Sequence, residues 1–418
     1  MGRGRRHDGE VQVGARRRRT ADRPRATARA AVLRRAGRGP AAALGLAALP
    51  VLSEVRIRRA ARPPSERWRW MAVEPRGTTQ LGLSFRPRQA ETFGLDPRTC
   101  LARLLAHPFQ VLRLGVYWDR AEPEPGVLRT DELDWQLALA EASGRRVILC
   151  VGAVKTFGYP EFFVPAHHLR RPLREGALIE PHGHQHLLEA ASAHVTRVVE
   201  RYRDRPAVVA WQVEHEAVDP LGMEHSWRLA TTFVAEEVRA VRSADPSRPV
   251  LMNGFLPTSL LVRAQQWWRT RDQGDSLVVA RGLADIVGVD HYPRHAVLRL
   301  GGATVYLDGS RRPWQRAWRR RAFAGVRASG RRLIVTEGQA EPWEAVTTPP
   351  SPAGRQMASC LPEQVIATYN QCLGDARAAR VALDAYLFWG AEYWVLRADG
   401  GDPSYLEAFS RLLALAGR

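Results

Sequence analysis

The 418-residue sequence predicts a single (β/α)8 TIM barrel with a disordered Arg-rich N-terminal extension. Three observations lead there. From Leu81 onward, eight short apolar runs alternate with stretches of helical character. Most of these runs are continuously apolar rather than alternating, as expected of parallel strands buried on both faces. Two of them run straight onto glutamates, and the C-terminal ends of the strands are where α/β barrels keep their chemistry. The length is ample, since such a barrel typically takes about 250 residues before insertions.

Residues 1–76 are rich in Arg, Ala, Gly and Pro without a sustained period, which predicts a disordered basic leader, read as an upstream extension with translation starting near Met71. The formal net charge of +19 does not signal a nucleic-acid partner, because residues 1–70 hold 19 Arg against 5 acidic residues. Lys155 is the only lysine, so a general bias towards Arg inflates the basicity. No specific nucleic-acid partner is expected. The longest uncharged apolar run, Pro40 to Leu52, is too short to span a bilayer. It lacks a convincing cleavage site behind it. Cytoplasmic placement is the expectation and secretion the alternative. Cys100, Cys150, Cys360 and Cys372 are widely spaced, with no metal-ligand pattern and nothing that demands an oxidising compartment.

The catalytic domain is expected over 77–418. Leu81 to Phe85 is the first strand, and Asp96-Pro97 caps and starts the helix after it. Val111 to Val116 is the second strand, followed by a helix from Asp131 to Ser143 that Gly144 closes. Val147 to Gly152 is the third. The irregular segment from Ala153 to about Pro181 is long enough to read as a functional loop. A helix from His184 to Arg203 leads into the fourth strand, Ala207 to Glu216. Pro249 to Gly254, Asp285 to Asp290, Leu333 to Glu337 and Leu383 to Trp389 complete the set, and a helix over 404–415 closes the outer ring.

Two strand-end glutamates, Glu216 and Glu337, suggest acid/base work on a glycosidic bond. Hydrolysing a glycoside near neutral pH needs one carboxyl that keeps its proton for the leaving oxygen and another that stays ionised to attack the anomeric carbon. Glu214 competes with Glu216, and strand alternation would point both to one face.

Trp211 five residues before Glu216, Ile334-Val335-Thr336-Glu337 and the run Trp118…Glu122-Pro123-Glu124-Pro125-Gly126 resemble the clan A glycoside hydrolases, retaining (β/α)8 glycosidases of cellulase-like and β-galactosidase-like type. The resemblance covers about residues 80–400. It implies that Glu216 is the acid/base and Glu337 the nucleophile of a double displacement on a β-linked oligo- or polysaccharide. It also implies that Arg113 contacts the nucleophile, that Tyr292 in Asp290-His291-Tyr292-Pro293 hydrogen-bonds it, and that Trp389 is the platform under the sugar. Trp118 is taken as a supporting residue. Arg113 and Tyr292 beside Glu337 would hold its pKa down, and Glu216, facing that anion, would have its pKa raised. The expected carboxyl separation is about 5 to 5.5 Å.

His215 stands where the clan carries Asn beside the acid/base. That departure leaves substrate preference open and makes a catalytically silent carbohydrate- or protein-binding barrel the alternative. No cofactor is implied, since water and two carboxyls suffice. His182, His184 and His186 alternate in a way that invites a zinc reading, but no Cys lies nearby and a helix is expected to start within the run, so no metal is expected.

Overall fold

The computed structural model describes residues 49–59, 64–219, 227–300, 302–347, 350 and 356–418. The chain divides into residues 1–52 and residues 53–418, and the second unit holds the barrel. Its strands are β1 (Gln80–Ser84), β2 (Val111–Gly115), β3 (Arg146–Cys150), β4 (Val208–Gln212), β5 (Val250–Phe255), β6 (Ile286–His291), β7 (Arg332–Gln339) and β8 (Leu383–Trp389). They pair in parallel and in chain order, and β8 closes onto β1. Among the described residues, no helix is long and apolar enough to cross a membrane.

The interior of the barrel changes character along its axis. Val111, Ile148, Ala210, Leu251, Ile286, Ile334 and Ala385, one from each of seven strands, pack with Leu387 into a closed apolar cluster. Successive residues of a strand face opposite sides, so the next inward residue is two positions on. Two on from Val111 comes Arg113, from Ala210 Gln212, from Leu251 Asn253 and from Ile334 Thr336. An apolar floor thus gives way to a polar layer at the C-terminal ends of the strands.

Local signals act where they were read. The Asp96 side chain accepts from the Thr99 amide ahead of the helix Pro97–Leu105, and Gly144 takes φ 65° after the helix Asp131–Ala142.

Two expectations are corrected. Structure begins well before residue 77: Val55–Arg59 is a strand that pairs antiparallel with Ala303–Asp308, which in turn pairs with Arg294–Leu300. Glu54 is fully buried there and accepts from the Ser259 hydroxyl at 2.7 Å and the Gln315 amide at 2.6 Å. Trp68 lies in the core. The sequence masks this strand because its partner lies far along the chain and its apolar Ile57 remains exposed. Residues 1–48 of the expected leader lie outside the described residues. The fourth strand is also shorter than expected, ending at Gln212 rather than Glu216.

Candidate active site

Beyond Gln212 the chain leaves the sheet, and Glu214 and Glu216 both adopt left-handed backbone, φ 55° and φ 43°. Strand alternation therefore does not apply, and the two glutamates part company. Glu214 turns away into the protein and accepts from the Val154 amide at 2.9 Å and from the Lys155 amide. Gly152 makes room for this: a Cβ there would lie 2.0 Å from the Glu214 nitrogen. Burial raises the Glu214 carboxyl, and the buried Glu237 is pushed well above the usual range by burial and by the charge of Glu214. The expectation that Glu214 shares a face with Glu216 is corrected accordingly.

Glu216 instead lines a cleft at the barrel mouth with His215, Tyr292, Glu337, Trp343 and Trp389. Its amide donates to Asn253 Oδ1 at 3.2 Å, and its carbonyl accepts from the Lys155 ammonium at 2.7 Å. Glu337 arrives at the same cleft through a register shift in β7, between Val335 and Glu337 against β6. A bulge lets consecutive residues both point inward. Thr336 reaches Asp290 Oδ1 at 2.6 Å while Glu337 reaches Arg113.

The polar layer beneath is one connected network. Arg113 is fully buried and donates from Nη1 to Glu337 Oε1 at 2.6 Å and from Nε to Gln212 Oε1 at 2.7 Å. The Phe157 ring backs its guanidinium at 3.9 Å. Tyr292 donates its hydroxyl to the other Glu337 oxygen. Gln212 donates to Asn253 Oδ1 at 3.0 Å, and Asn253 donates to Asp290 Oδ2 at 2.5 Å. His215 Nδ1 lies 3.0 Å from Asn253 Nδ2 and 3.5 Å from Arg113 Nη2. Glu337 Oε1 also lies 3.5 Å from Nδ1 but is engaged by Arg113, and the nearer Asn253 amide is a donor only, so Nδ1 accepts and the proton of the neutral ring sits on Nε2. Burial, then Arg113 and Lys155, hold the His215 pKa well below its usual value, which keeps the ring neutral.

The electrostatics follow from counting charges. Buried Arg113 and Lys155 face Glu214, Glu216, Asp219, Glu237, Asp290 and Glu337. Arg86, also buried and acting on Glu337, is itself paired with Glu341 and Glu392, so carboxyls outnumber cations and ionisation is disfavoured. Burial pushes the Glu216 carboxyl well above its ordinary range, with Asp290, Asp219, Glu161 and Glu337 adding repulsion. Burial raises Asp290 as well, but Asp290 already accepts from Asn253 and Thr336, which favours its ionised form. Of the two, Glu216 therefore keeps the proton. The Glu337 pKa corrects the expectation: burial raises it, and Arg113 and Tyr292 pull it back without cancelling that rise.

Of the other sequence candidates, Trp389 lines the cleft with the Arg86 guanidinium 4.3 Å from its ring centroid. Trp118 does not line it. It is fully buried, its indole donates to Glu122 at 2.9 Å, and its ring stacks between His168 and His194, so its support is to the loops rather than to a ligand. Trp394, on the helix Ala391–Asp399 that follows β8, is core too, donating to the Ala340 carbonyl at 2.7 Å. Sequence reasoning missed Gln212, Asn253 and Asp290, although each sits where a strand turns polar. It also missed Arg86, which is held by Glu341 at 2.9 Å and Glu392 at 2.7 Å at the edge of the cleft.

A protein family described as beta-galactosidase, glycoside hydrolase 42, matches residues 99–234, a span that includes Arg113, His215 and Glu216. Among solved structures, a GH5_18 protein from Streptomyces cattleya in complex with GlcNAc is similar at 13% identity and TM-score 0.53, covering 82% of this chain and 81% of that one. A GH10 endoxylanase retrieved from a sugarcane soil metagenome aligns at 13% identity and TM-score 0.49, over 80% of this chain and 98% of its own. No curated protein matches the chain. At such identities the structural likeness is one of fold. The fold and the family match together support the resemblance to the clan A glycoside hydrolases and a glycosidase as the kind of enzyme.

Proposed function

We propose that this barrel is a retaining glycosidase acting on a β-linked oligo- or polysaccharide, with Glu337 as nucleophile and Glu216 as acid/base. The observation that carries the reading is the unequal treatment of two carboxyls at one cleft. Glu337 receives a guanidinium and a phenol, whereas Glu216 faces other carboxyls and holds a proton.

In the first step a Glu337 oxygen bonds to the anomeric carbon while the glycosidic C–O bond breaks. Glu216 gives its proton to the departing oxygen, leaving a covalent glycosyl-enzyme. In the second step Glu216, now ionised, takes a proton from water. The water oxygen bonds to the anomeric carbon and the Glu337 carboxylate is released. Arg113 and Tyr292 hold the Glu337 oxygens in place and stabilise the charge that returns to them. The Nε2–H of His215 serves the sugar hydroxyl that Asn serves in the clan, and Trp389 offers an aromatic face to the ring.

Chemical rescue tests the assignment. Aryl β-glycosides, beginning with the galactoside that the family match suggests, are offered to Glu337→Ala and Glu216→Ala with azide added. Double displacement predicts an α-glycosyl azide from the first variant and a β-glycosyl azide from the second. Sugar binding with no turnover by the unmodified protein would favour the silent-barrel alternative, for which the His215 departure speaks.

A further inference from the structure

Outside the cleft, six of the chain's 12 histidines fall between residues 167 and 194, on the segment joining β3 to the helix Gln185–Tyr202 and on that helix itself. His182, His184 and His186, which alternate in sequence, do not converge on one ligand position. Two others do. His168 Nε2 lies 3.3 Å from Glu122 Oε1 and His167 Nε2 lies 4.0 Å from the same oxygen. Ligand atoms from all three side chains fall within 4.8 Å of one another.

We propose that Glu122, His167 and His168 form a binding site for a divalent transition-metal ion, zinc in the first instance, with a fourth position open to water. Zinc takes imidazole nitrogen and carboxylate oxygen at about 2.0–2.2 Å in a tetrahedron, which sets the ligand-to-ligand edge near 3.3 Å. The His168–Glu122 edge already has that length. The His167 edge closes with a movement of under about 1 Å, small for the partly exposed short helix Ala166–His168.

The carboxylate is oriented in advance. Glu122 Oε2 accepts from the Trp118 indole at 2.9 Å and from Arg197 at 2.6 Å, and Oε1 accepts from the Gly126 amide at 2.9 Å. The second lone pair of Oε1 faces the two imidazoles, where His168 Nε2 lies at hydrogen-bond distance, 3.3 Å, so an ion bound there would replace that hydrogen bond. Trp118 stacks against His168 on one side, with ring centroids 4.8 Å apart, and fixes the plane of that ligand. On its other side is His194, fully buried, with neither ring nitrogen hydrogen-bonded among the described residues and Nδ1 3.8 Å from Glu122 Oε2. On the His194 side of the carboxylate, polar capacity is thus left unfilled.

The ligand set also chooses the class of ion. A single carboxylate shared with Arg197, completed by two imidazoles, offers too few oxygens for calcium or magnesium and suits zinc, cobalt, nickel or copper. Bound there, the ion would tie the segment after β3 to the loop after β2. That same segment carries Tyr159 and Glu161 to the edge of the cleft.

The test uses the untagged full-length protein, freed of metal with a chelator and titrated calorimetrically with zinc chloride. Cobalt(II) is added in parallel so that four-coordination can be read from its visible d–d absorption. The expected result is one saturable equivalent of zinc, a tetrahedral cobalt spectrum, and loss of both in His168→Ala and His167→Ala. His182→Ala should bind as the parent does, and all three variants should melt as the parent does. Absence of saturable binding, an octahedral cobalt spectrum, or binding that survives in both His167→Ala and His168→Ala would overturn the proposal. None of these readouts depends on glycosidase activity, so the site and the proposed reaction stand or fall separately.

Discussion

The two sides of the cleft treat the same functional group in opposite ways. Glu337 meets Arg113 and Tyr292, each donating to one of its oxygens, whereas Glu216 meets Asp290, Asp219 and Glu161. Both carboxyls are raised by burial, so burial alone does not distinguish them. The neighbours do, and donors favour an ionised group where carboxylates favour a protonated one. Division of labour in this cleft is therefore written less in the glutamates than in what the adjoining strands place beside them.

Removing the nucleophile is the severest way to break that contrast. Glu337→Ala should lower kcat/KM on aryl glycosides by about 10⁴-fold or more, as removal of a nucleophile does elsewhere, and should also lower the melting temperature because buried Arg113 loses its partner. Retained turnover would remove Glu337 from the chemistry. Glu216→Gln should cost about 10²- to 10⁴-fold, and the loss should depend on the leaving group. A dinitrophenyl glycoside, which leaves unaided, should form the glycosyl-enzyme nearly as fast as with the parent protein. A penalty equal for all leaving groups would show that Glu216 is not the proton donor.

Arg113→Met attacks the Glu337 side through stability. It strips a buried carboxylate of its guanidinium and leaves Gln212 Oε1 without its donor, and breaking a buried pair costs about 3 kcal/mol or more. Denaturant titration should show this at neutral pH, with part of the loss recovered on acidification as Glu337 takes up a proton. The mildest perturbation sharpens the Glu216 side. Asp290→Asn removes a carboxylate charge that repels the ionised form of Glu216. The ionised form of Glu216 then costs less, its pKa falls, and the alkaline limb of the pH profile of kcat/KM should move to lower pH. In the parent the sign for stability is fixed as well. A carboxyl raised by folding keeps its proton in the native state after the unfolded chain has lost it, so stability falls as pH rises above the ordinary Glu range.

Much of the fold was legible because its signals are local. Continuous apolar runs, the Asp96-Pro97 cap and Gly144 each act within a few residues, and all eight strands were located with small errors at their ends. What escaped depends on partners remote in sequence. The strand Val55–Arg59 exists because Ala303–Asp308 lies beside it, and Glu54 is buried because Ser259 and Gln315 receive it. The site divides along the same line. Glu216 and Glu337 announce themselves at strand ends, but Asn253 and Asp290 gain their meaning only when β5 and β6 stand next to Glu216. Glu214 misled because two residues of left-handed backbone cancel the alternation on which the reading relied. For Trp118 the motif gave a position in the chain but not the direction of the side chain, which meets Glu122, His168 and His194 rather than the cleft.

The central claim is that Glu337 becomes covalently bound to the sugar. Incubation with activated 2-deoxy-2-fluoro-β-glycosides, across several sugars, followed by mass spectrometry of the intact protein and its peptides, tests it directly. The account predicts one fluoroglycosyl unit per chain, carried by the peptide containing Glu337 and absent from Glu337→Gln. Time-dependent labelling at any other residue, or labelling that persists in Glu337→Gln, would contradict it.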